Sequence, residues 1–173
     1  AAERRNIGQY GFGVKGFVLS MIETAIEVTE GRVAAPVIAE LLAMGREMLS
    51  HPIELLPHAR AAVEAVAGAC DLALITKGAL LDQERKLAQS GLGEMFDAVE
   101  IVSDKTPARY RRILAGRGTG HAVMIGNSMK SDILPALEAG AWAIHVPHDL
   151  LWDLEAAEYP AATPRFHRIE DLS

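Results

Sequence analysis

Apolar residues in the first third of the chain recur with the period of a helix. From position 14 they are spaced three and four residues apart, which places them on one face of an amphipathic helix. The residues of this face are Val14, Phe17, Val18, Met21, Ile22, Ala25 and Ile26. Gly31 predicts the end of this helix, because glycine readily adopts the left-handed conformation common there, and Pro36 suits the first turn of a second helix. No strand is predicted before residue 70.

Beyond residue 55, short apolar runs alternate with amphipathic segments. The predicted helices cover 55–66, 80–90, 107–114 and 131–139, and the predicted strands cover 71–76, 98–102, 121–125 and 141–146, with 165–169 as a candidate edge strand. Apolar strands that alternate with helices are typical of a parallel sheet covered on both faces. The pattern therefore predicts an α/β fold with a helical first third and a three-layer second part.

The composition excludes several classes of protein. Half of the residues (50%) are hydrophobic and 23% are charged, which is an ordinary globular mixture. A net charge of −6 and an aromatic content of 5% argue against a nucleic-acid partner. No apolar run reaches the roughly 18 residues that a membrane helix needs. The single cysteine, Cys70, excludes an internal disulfide and is predicted to be a small core residue. We expect a cytoplasmic protein, and its oligomeric state is left open.

Residues suited to an anionic ligand follow the predicted strands. Ligands of parallel sheets bind at the carboxyl ends of the strands. The candidates at these ends are Thr76, Lys77, Gly78, Lys105, Asn127 and Asp132. The Thr76 hydroxyl and the Lys105 ammonium can both hold an anionic oxygen, and backbone N–H groups near Gly78 favour phosphate. Amide and carboxylate oxygens suit Mg²⁺. The set predicts a site for a phosphate and a hard cation.

Two histidines, His145 and His148, follow the last of these strands. Pro147 stands between them, so the two rings need not share a face, and no cysteine or carboxylate accompanies them at a suitable spacing. They are not predicted to bind a metal.

Three segments in this order resemble known motifs. Residues 75–78, 103–106 and 126–132 are similar to the second, third and fourth motifs of the haloacid dehalogenase superfamily, whose members use an aspartate nucleophile for phosphoryl transfer or dehalogenation. The resemblance implies a Rossmann-like core. It also implies that Thr76 and Lys105 are catalytic groups that hold the phosphoryl oxygens, and that Lys77 and Gly78 help to bind phosphate. Asn127 and Asp132 would belong to the metal site, with Asn127 as a ligand that Asp132 orients.

The first motif of that superfamily, Asp-x-Asp on the first core strand, is absent. No aspartate precedes Asp71. By the resemblance, residues 1–55 are expected to be a partial helical cap, residues 56–173 the Rossmann-like core, and the first core strand with its nucleophile is expected to lie outside this chain. Because it has no Asp-x-Asp motif, the chain of 173 residues alone is expected to be inactive. It is then either a piece of a longer protein or a degenerate relative.

Asn127 bears on the choice of reaction. Phosphatases of the superfamily usually carry aspartate at this position as a Mg²⁺ ligand, whereas dehalogenases need no metal and often carry asparagine nearby. Gly126 and the Lys77–Gly78 pair resemble the phosphatase pattern. The favoured hypothesis is a Mg²⁺-dependent phosphatase of a small phosphorylated metabolite, acting through an aspartyl-phosphate. The alternatives are a 2-haloacid dehalogenase and a non-catalytic binding protein.

Overall fold

The computed structural model describes residues 2–116, 118–148 and 155–173. Its first third is helical, with α1 over Ala2–Tyr10, α2 over Val14–Val28 and α3 over Ala35–Ser50. The end of α2 is followed by Gly31 in the left-handed conformation, with φ 80°, and α3 has a proline in its first turn. Both predicted helices are confirmed, and no strand precedes residue 70 among the described residues.

Helices α2 and α3 approach each other closely at a glycine. A Cβ atom on Gly45 would lie 2.6 Å from Cγ2 of Val18, which is closer than real contacts allow. Val18 is buried, and its branched side chain has little rotamer freedom in a helix. The absent side chain of Gly45 therefore allows the two helices to pack at this distance.

Polar side chains fix α1 on α2. The buried Asn6 amide donates hydrogen bonds to Ser20 Oγ at 3.2 Å and to Glu23 Oε2 at 2.5 Å. The Tyr10 hydroxyl donates to Glu23 Oε1 at 2.5 Å. The bonds from Tyr10 and then Asn6 lower the pKa of Glu23, and the same bond to Glu23 raises the pKa of Tyr10. These directional contacts select one register between the helices.

Strands and helices alternate in the rest of the chain, as predicted. The elements are α4 (Ala59–Val66), β1 (Ala73–Lys77), α5 (Leu80–Ser90), β2 (Ala98–Val102), α6 (Pro107–Ile113), β3 (Val123–Gly126), α7 (Leu134–Glu138), β4 (Trp142–His145) and β5 (Phe166–Arg168). The α/β class is thereby confirmed, and the limits of α5 and β2 coincide with the predicted ones.

The strands run parallel. Strand β1 neighbours β2 in one sheet. Hydrogen bonds join Ala98 N to the Leu72 carbonyl at 3.2 Å, near the start of both strands, and Gly78 N to the Val102 carbonyl at 3.3 Å, near the end of both, so the two strands are parallel. In the second sheet, β4 lies between β3 and β5 and is parallel to both. The described strands thus form two parallel sheets, and the candidate strand near residue 166 is confirmed at the edge of the second.

Two predictions before β1 are wrong. The helix predicted from residue 55 begins at Ala59, because the residue before Pro57 disfavours helical backbone and His58 is left-handed with φ 65°. Cys70 is exposed and not part of the core. Because β1 begins only at Ala73, Cys70 lies in the connection before the strand.

The helix predicted over 131–139 is divided in two. A π turn covers Met129–Ile133, and α7 follows with Pro135 in its first turn. Proline has no N–H to donate to the carbonyl four residues earlier, and that carbonyl, of Ser131, accepts the hydroxyl of Tyr110 at 3.1 Å instead. Burial of Tyr110 raises the pKa of its hydroxyl, and the charge of Asp132 raises it further.

A hydrophobic cluster holds this π turn against the second sheet. Met129 and Ile133 of the turn and Ala143 of β4 are buried, and Leu134 and Phe166 pack against them. Ile133 is completely inaccessible to solvent. The residues between β3 and α7 are therefore held in place by their packing in the core.

The chain forms two compact units. The first comprises Ala1–Glu54, Ile75–Glu94 and Ile101–Ser103, and the second comprises Leu55–Leu74, Met95–Glu100 and Asp104–Ser173. The division into a cap over 1–55 and a core over 56–173 stays a prediction. No helix in the described part of the chain has the length and apolar character needed to cross a membrane.

Replacing Gly45 by alanine is expected to destabilise the protein. The new methyl group must displace Val18, and overpacking of this kind costs about 1–3 kcal/mol. The higher helix propensity of alanine stabilises the folded protein by about 1 kcal/mol, which offsets part of this loss. A net loss of up to about 2 kcal/mol in the free energy of unfolding is expected in urea denaturation followed by circular dichroism.

Gly8→Ala in α1 is the matched control, because a Cβ atom there meets nothing within 4 Å. This variant is expected to gain about 0.5–1 kcal/mol from propensity alone. An equal gain in Gly45→Ala would contradict the close contact between α2 and α3.

Candidate functional site

A nearly dry ion pair lies at the carboxyl end of β3. The Lys105 ammonium contacts Asp132 Oδ1 at 2.6 Å, and the two side chains are 11% and 5% exposed. The other carboxylate oxygen, Oδ2, accepts the backbone N–H of Ser128 at 2.9 Å. Both oxygens of Asp132 are therefore satisfied, as a buried carboxylate requires.

Ser128 organises the turn that carries Asp132. Its hydroxyl oxygen accepts the backbone N–H of Ser131 at 2.9 Å and so caps the first turn of the π segment. The same hydroxyl donates to Glu155 Oε2 at 2.6 Å. One small side chain thereby joins the turn to the segment that contains Glu155.

Gly126 leaves room for the carboxylate. A Cβ atom at this position would lie 2.5 Å from Cγ of Asp132 and 2.7 Å from its Cβ. The backbone of Gly126 does not have a positive φ, so the requirement for glycine here is one of space. The last residue of β3 must be glycine for Asp132 to reach its partners.

Lys105 is held in place immediately before α6. The Asp104 carboxylate accepts the backbone N–H of Lys105 at 2.9 Å. Thr106 caps α6 by accepting the N–H of Arg109 at 3.3 Å, and Pro107 follows as the first helical residue. The lysine thus leaves the backbone from a fixed point.

The peptide between Asn127 and Ser128 is bound at both ends. His145 Nε2 lies 3.0 Å from the carbonyl oxygen of Asn127, while the N–H of Ser128 donates to Asp132. The Asn127 side chain itself is exposed. Its amide oxygen is a hard donor of the kind that Mg²⁺ accepts, together with several waters.

Thr76, Lys77 and Gly78 lie at the end of β1, in the first unit. The Thr76 hydroxyl donates to Gln83 Oε1 at 2.8 Å. Gly78 has φ 149°, and a Cβ atom on it would lie 2.6 Å from Gln83 Nε2. The Lys77 ammonium lies 3.8 Å from the centroid of the Phe12 ring, a cation–π contact.

Of the predicted site residues, the structure brings Lys105 and Asp132 into direct contact and joins Asn127 to them through the Ser128 amide. Thr76, Lys77 and Gly78 are consecutive at one strand end. Their roles in binding stay predictions.

Several contacts were not predicted from the sequence, namely those of Gln83, Ser128, His145 and Glu155. The Ser128 spacing to Ser131 is a capping signal, whereas nothing local points to Glu155. Among the described residues, no three His, Cys, Asp or Glu side chains are grouped so as to hold a metal ion. The oxygen donors of Asn127 and Asp132 fit Mg²⁺ in chemistry, and both oxygens of Asp132 already accept hydrogen bonds.

Comparisons with known proteins identify the family. No family model matches the chain, and no curated protein does. A solved haloacid dehalogenase-like family hydrolase from Xanthomonas campestris is 42% identical, with a TM-score of 0.88, over 99% of this chain and 69% of that one. The chain therefore belongs to the haloacid dehalogenase-like hydrolase family, and the family indicated by the sequence is confirmed.

More distant structures share the fold. A predicted phosphoglycolate phosphatase from Haemophilus somnus is 16% identical with a TM-score of 0.64, over 99% of this chain and 80% of that one. The L-2-haloacid dehalogenase from Xanthobacter autotrophicus, with chloropropionic acid covalently bound, is 17% identical with a TM-score of 0.67, over 99% and 81%. The Rossmann-like fold expected from the sequence is thereby confirmed.

Replacing Gly126 by alanine is expected to expel Asp132 from its position. Its carboxylate would lose the Ser128 N–H and move away from Lys105, and the overpacking costs about 1–3 kcal/mol in the free energy of unfolding. Urea denaturation measures this loss. Gly120→Ala is the control, because a Cβ atom there meets nothing within 4 Å. Equal stability of the two variants would refute the spatial role of Gly126.

Proposed function

We propose that the protein is a Mg²⁺-dependent phosphatase that acts on a small phosphorylated metabolite. The observation that carries this proposal is the Lys105–Asp132 ion pair, whose 2.6 Å contact lies at a strand end and is almost sealed from solvent. A positive group in such surroundings interacts strongly with an anionic substrate, because little water screens its charge.

Lys105 stabilises the transferring phosphoryl group. In the described part of the chain, one of the three N–H donors of its ammonium is directed to Asp132, so two remain to contact phosphoryl oxygens. Asp132 keeps the ammonium in one place, which lowers the reorganisation needed when charge develops on phosphorus. The lysine contributes chiefly to kcat under this proposal.

Thr76 and the backbone beside it bind a phosphoryl oxygen. The hydroxyl of Thr76 is already oriented by Gln83 at 2.8 Å, and it turns from that acceptor to the substrate. Lys77 and Gly78 lie directly before α5, whose N-terminal backbone N–H groups favour an anion, whereas the N–H of Gly78 itself already donates to the Val102 carbonyl.

The chemical step follows from the family resemblance. An aspartate carboxylate attacks phosphorus, the bond from phosphorus to the ester oxygen breaks, and the alcohol leaves with a proton from a general acid. Water then hydrolyses the aspartyl-phosphate and releases inorganic phosphate. Mg²⁺, held by the amide oxygen of Asn127 with Asp132 as the orienting group, would offset phosphate charge. No Asp-x-Asp motif occurs within the 173 residues, which alone are expected to show no turnover.

The test of this function is an assay of the full-length gene product. Mg²⁺-stimulated release of phosphate from p-nitrophenyl phosphate is expected, and Lys105→Met should lower kcat by about 10²–10³-fold because it removes the charge that stabilises the transition state. Lys86→Met, at an exposed position of α5, is the control and should retain full activity. Chloride release from chloroacetate without metal, in place of phosphate release, would overturn the proposal.

The dehalogenase remains a second candidate because of one residue. Asn127 carries no charge where a metal-dependent enzyme gains from a carboxylate, and a dehalogenase needs no metal. A protein active on neither substrate would support the third reading, a non-catalytic binding protein.

Asn127→Asp is expected to strengthen Mg²⁺ binding. The substitution adds a negative charge to a hard oxygen ligand with little change in size, and Mg²⁺ prefers carboxylates. Isothermal titration with Mg²⁺ should show a dissociation constant about tenfold lower, which corresponds to roughly 1.4 kcal/mol. Gln89→Glu adds the same charge at an exposed position of α5 and should leave the constant unchanged. An unchanged constant in Asn127→Asp would exclude this residue as a ligand.

A further inference from the structure

We propose that His145 is a positioning residue for the catalytic lysine. It acts through the peptide between Asn127 and Ser128 and through Asp132, and it touches neither substrate nor metal. This inference rests on the proposed phosphatase function and deepens it, because it names the group that sets the orientation of Lys105.

His145 occupies a rigid place in the second sheet. It is the last residue of β4, is 7% exposed, and is paired in register with Gly126. The N–H of Val146 donates to the Gly126 carbonyl at 3.0 Å, and the N–H of Ile169 donates to the His145 carbonyl at 3.1 Å. The backbone of His145 is thus fixed on both sides.

The ring of His145 makes one directed contact. Its Nε2 lies 3.0 Å from the Asn127 carbonyl oxygen, and because a carbonyl can only accept, Nε2 carries the proton. The ring meets the edge of Tyr159, with centroids 5.9 Å apart and planes at 76°. Its other nitrogen, Nδ1, is buried and has no hydrogen-bond partner in the described part of the chain. The bond to Asn127 is therefore the polar contact that orients the ring.

That bond acts on a planar group. The Asn127 carbonyl and the Ser128 N–H belong to the same peptide, so a donor that fixes the carbonyl also fixes the direction of the N–H. The N–H donates to Asp132 Oδ2 at 2.9 Å, and Asp132 Oδ1 accepts the Lys105 ammonium at 2.6 Å. A donor at the carbonyl also polarises the peptide and strengthens the bond that its N–H makes.

The four groups form one chain of hydrogen bonds, from His145 through the peptide and Asp132 to Lys105. Each link lies within the second unit and has a single direction. Loss of the first donor leaves the Asn127 carbonyl without its His145 donor and beside an apolar group, and the peptide can then rotate to find another donor. The Ser128 N–H would turn away from Asp132 in the same motion.

The experiment compares three variants of the full-length protein. His145→Leu and His145→Phe remove the donor and keep an apolar side chain, whereas His145→Gln keeps an N–H donor at a similar reach. In the Mg²⁺-dependent phosphatase assay, the Leu and Phe variants should lose about 10–100-fold in kcat, with a smaller change in KM, and Gln should restore most of the loss. A residue that only fills the core would give no such rescue, because Gln is the poorer apolar filler.

A second readout does not depend on activity. The amide of Ser128, observed by NMR after labelling of serine with ¹⁵N, should shift upfield in the Leu and Phe variants as its bond to Asp132 weakens, and should return in Gln. An unmoved Ser128 signal in all variants, or equal kcat losses in Gln and Leu, would overturn the proposal. If the native enzyme proves to have no phosphatase activity, the proposed function fails, while the amide signal still decides whether His145 orients Asp132.

Discussion

The ion pair between Lys105 and Asp132 is the interaction on which the candidate site depends. Two charges that are 11% and 5% exposed have lost most of their hydration, and their attraction repays that loss only when the remaining polar atoms are also satisfied. The second carboxylate oxygen meets this condition through the Ser128 N–H. An arrangement without that amide would leave a buried lone pair uncompensated, so the geometry of one peptide decides whether the pair is tolerable.

The neighbouring residues allow Asp132 to satisfy both of its carboxylate oxygens. Gly126 supplies the space, the Ser128 hydroxyl caps the turn, and Ile133 anchors it in the core. Beyond the π turn, Pro135 has no N–H for the Ser131 carbonyl, which accepts the hydroxyl of Tyr110 instead. The residues from β3 to α7 thus contribute both to the core and to the candidate site. A change in their packing would alter the position of Asp132 and therefore its contact with Lys105.

Local signals account for what could be predicted from the sequence. Helix α5 and strand β2 have their predicted limits because Gly91 marks the end of the amphipathic pattern of α5 and because β2 coincides with a short apolar run. Strand ends and motif spacing predict Thr76, Lys105 and Asp132 as site residues, and the structure places Lys105 and Asp132 in contact. Glu155 and the bond from His145 to Asn127 could not be found in this way, because they join residues 27 and 18 positions apart. Cys70 was misjudged because the exact start of β1 is not encoded locally.

Charge also separates the two reactions open to this family. The Lys105–Asp132 pair is neutral as a whole and Asn127 adds no charge, so these three residues together bring no net negative charge to a divalent cation. In the proposed phosphatase, the attraction for Mg²⁺ must then come mainly from the substrate phosphate and from the nucleophile's carboxylate. Metal and substrate would therefore bind together, each raising the affinity for the other by the same factor. A dehalogenase would place no such demand on these residues, since it needs no metal. A dependence of activity on Mg²⁺ would therefore separate the two proposed reactions.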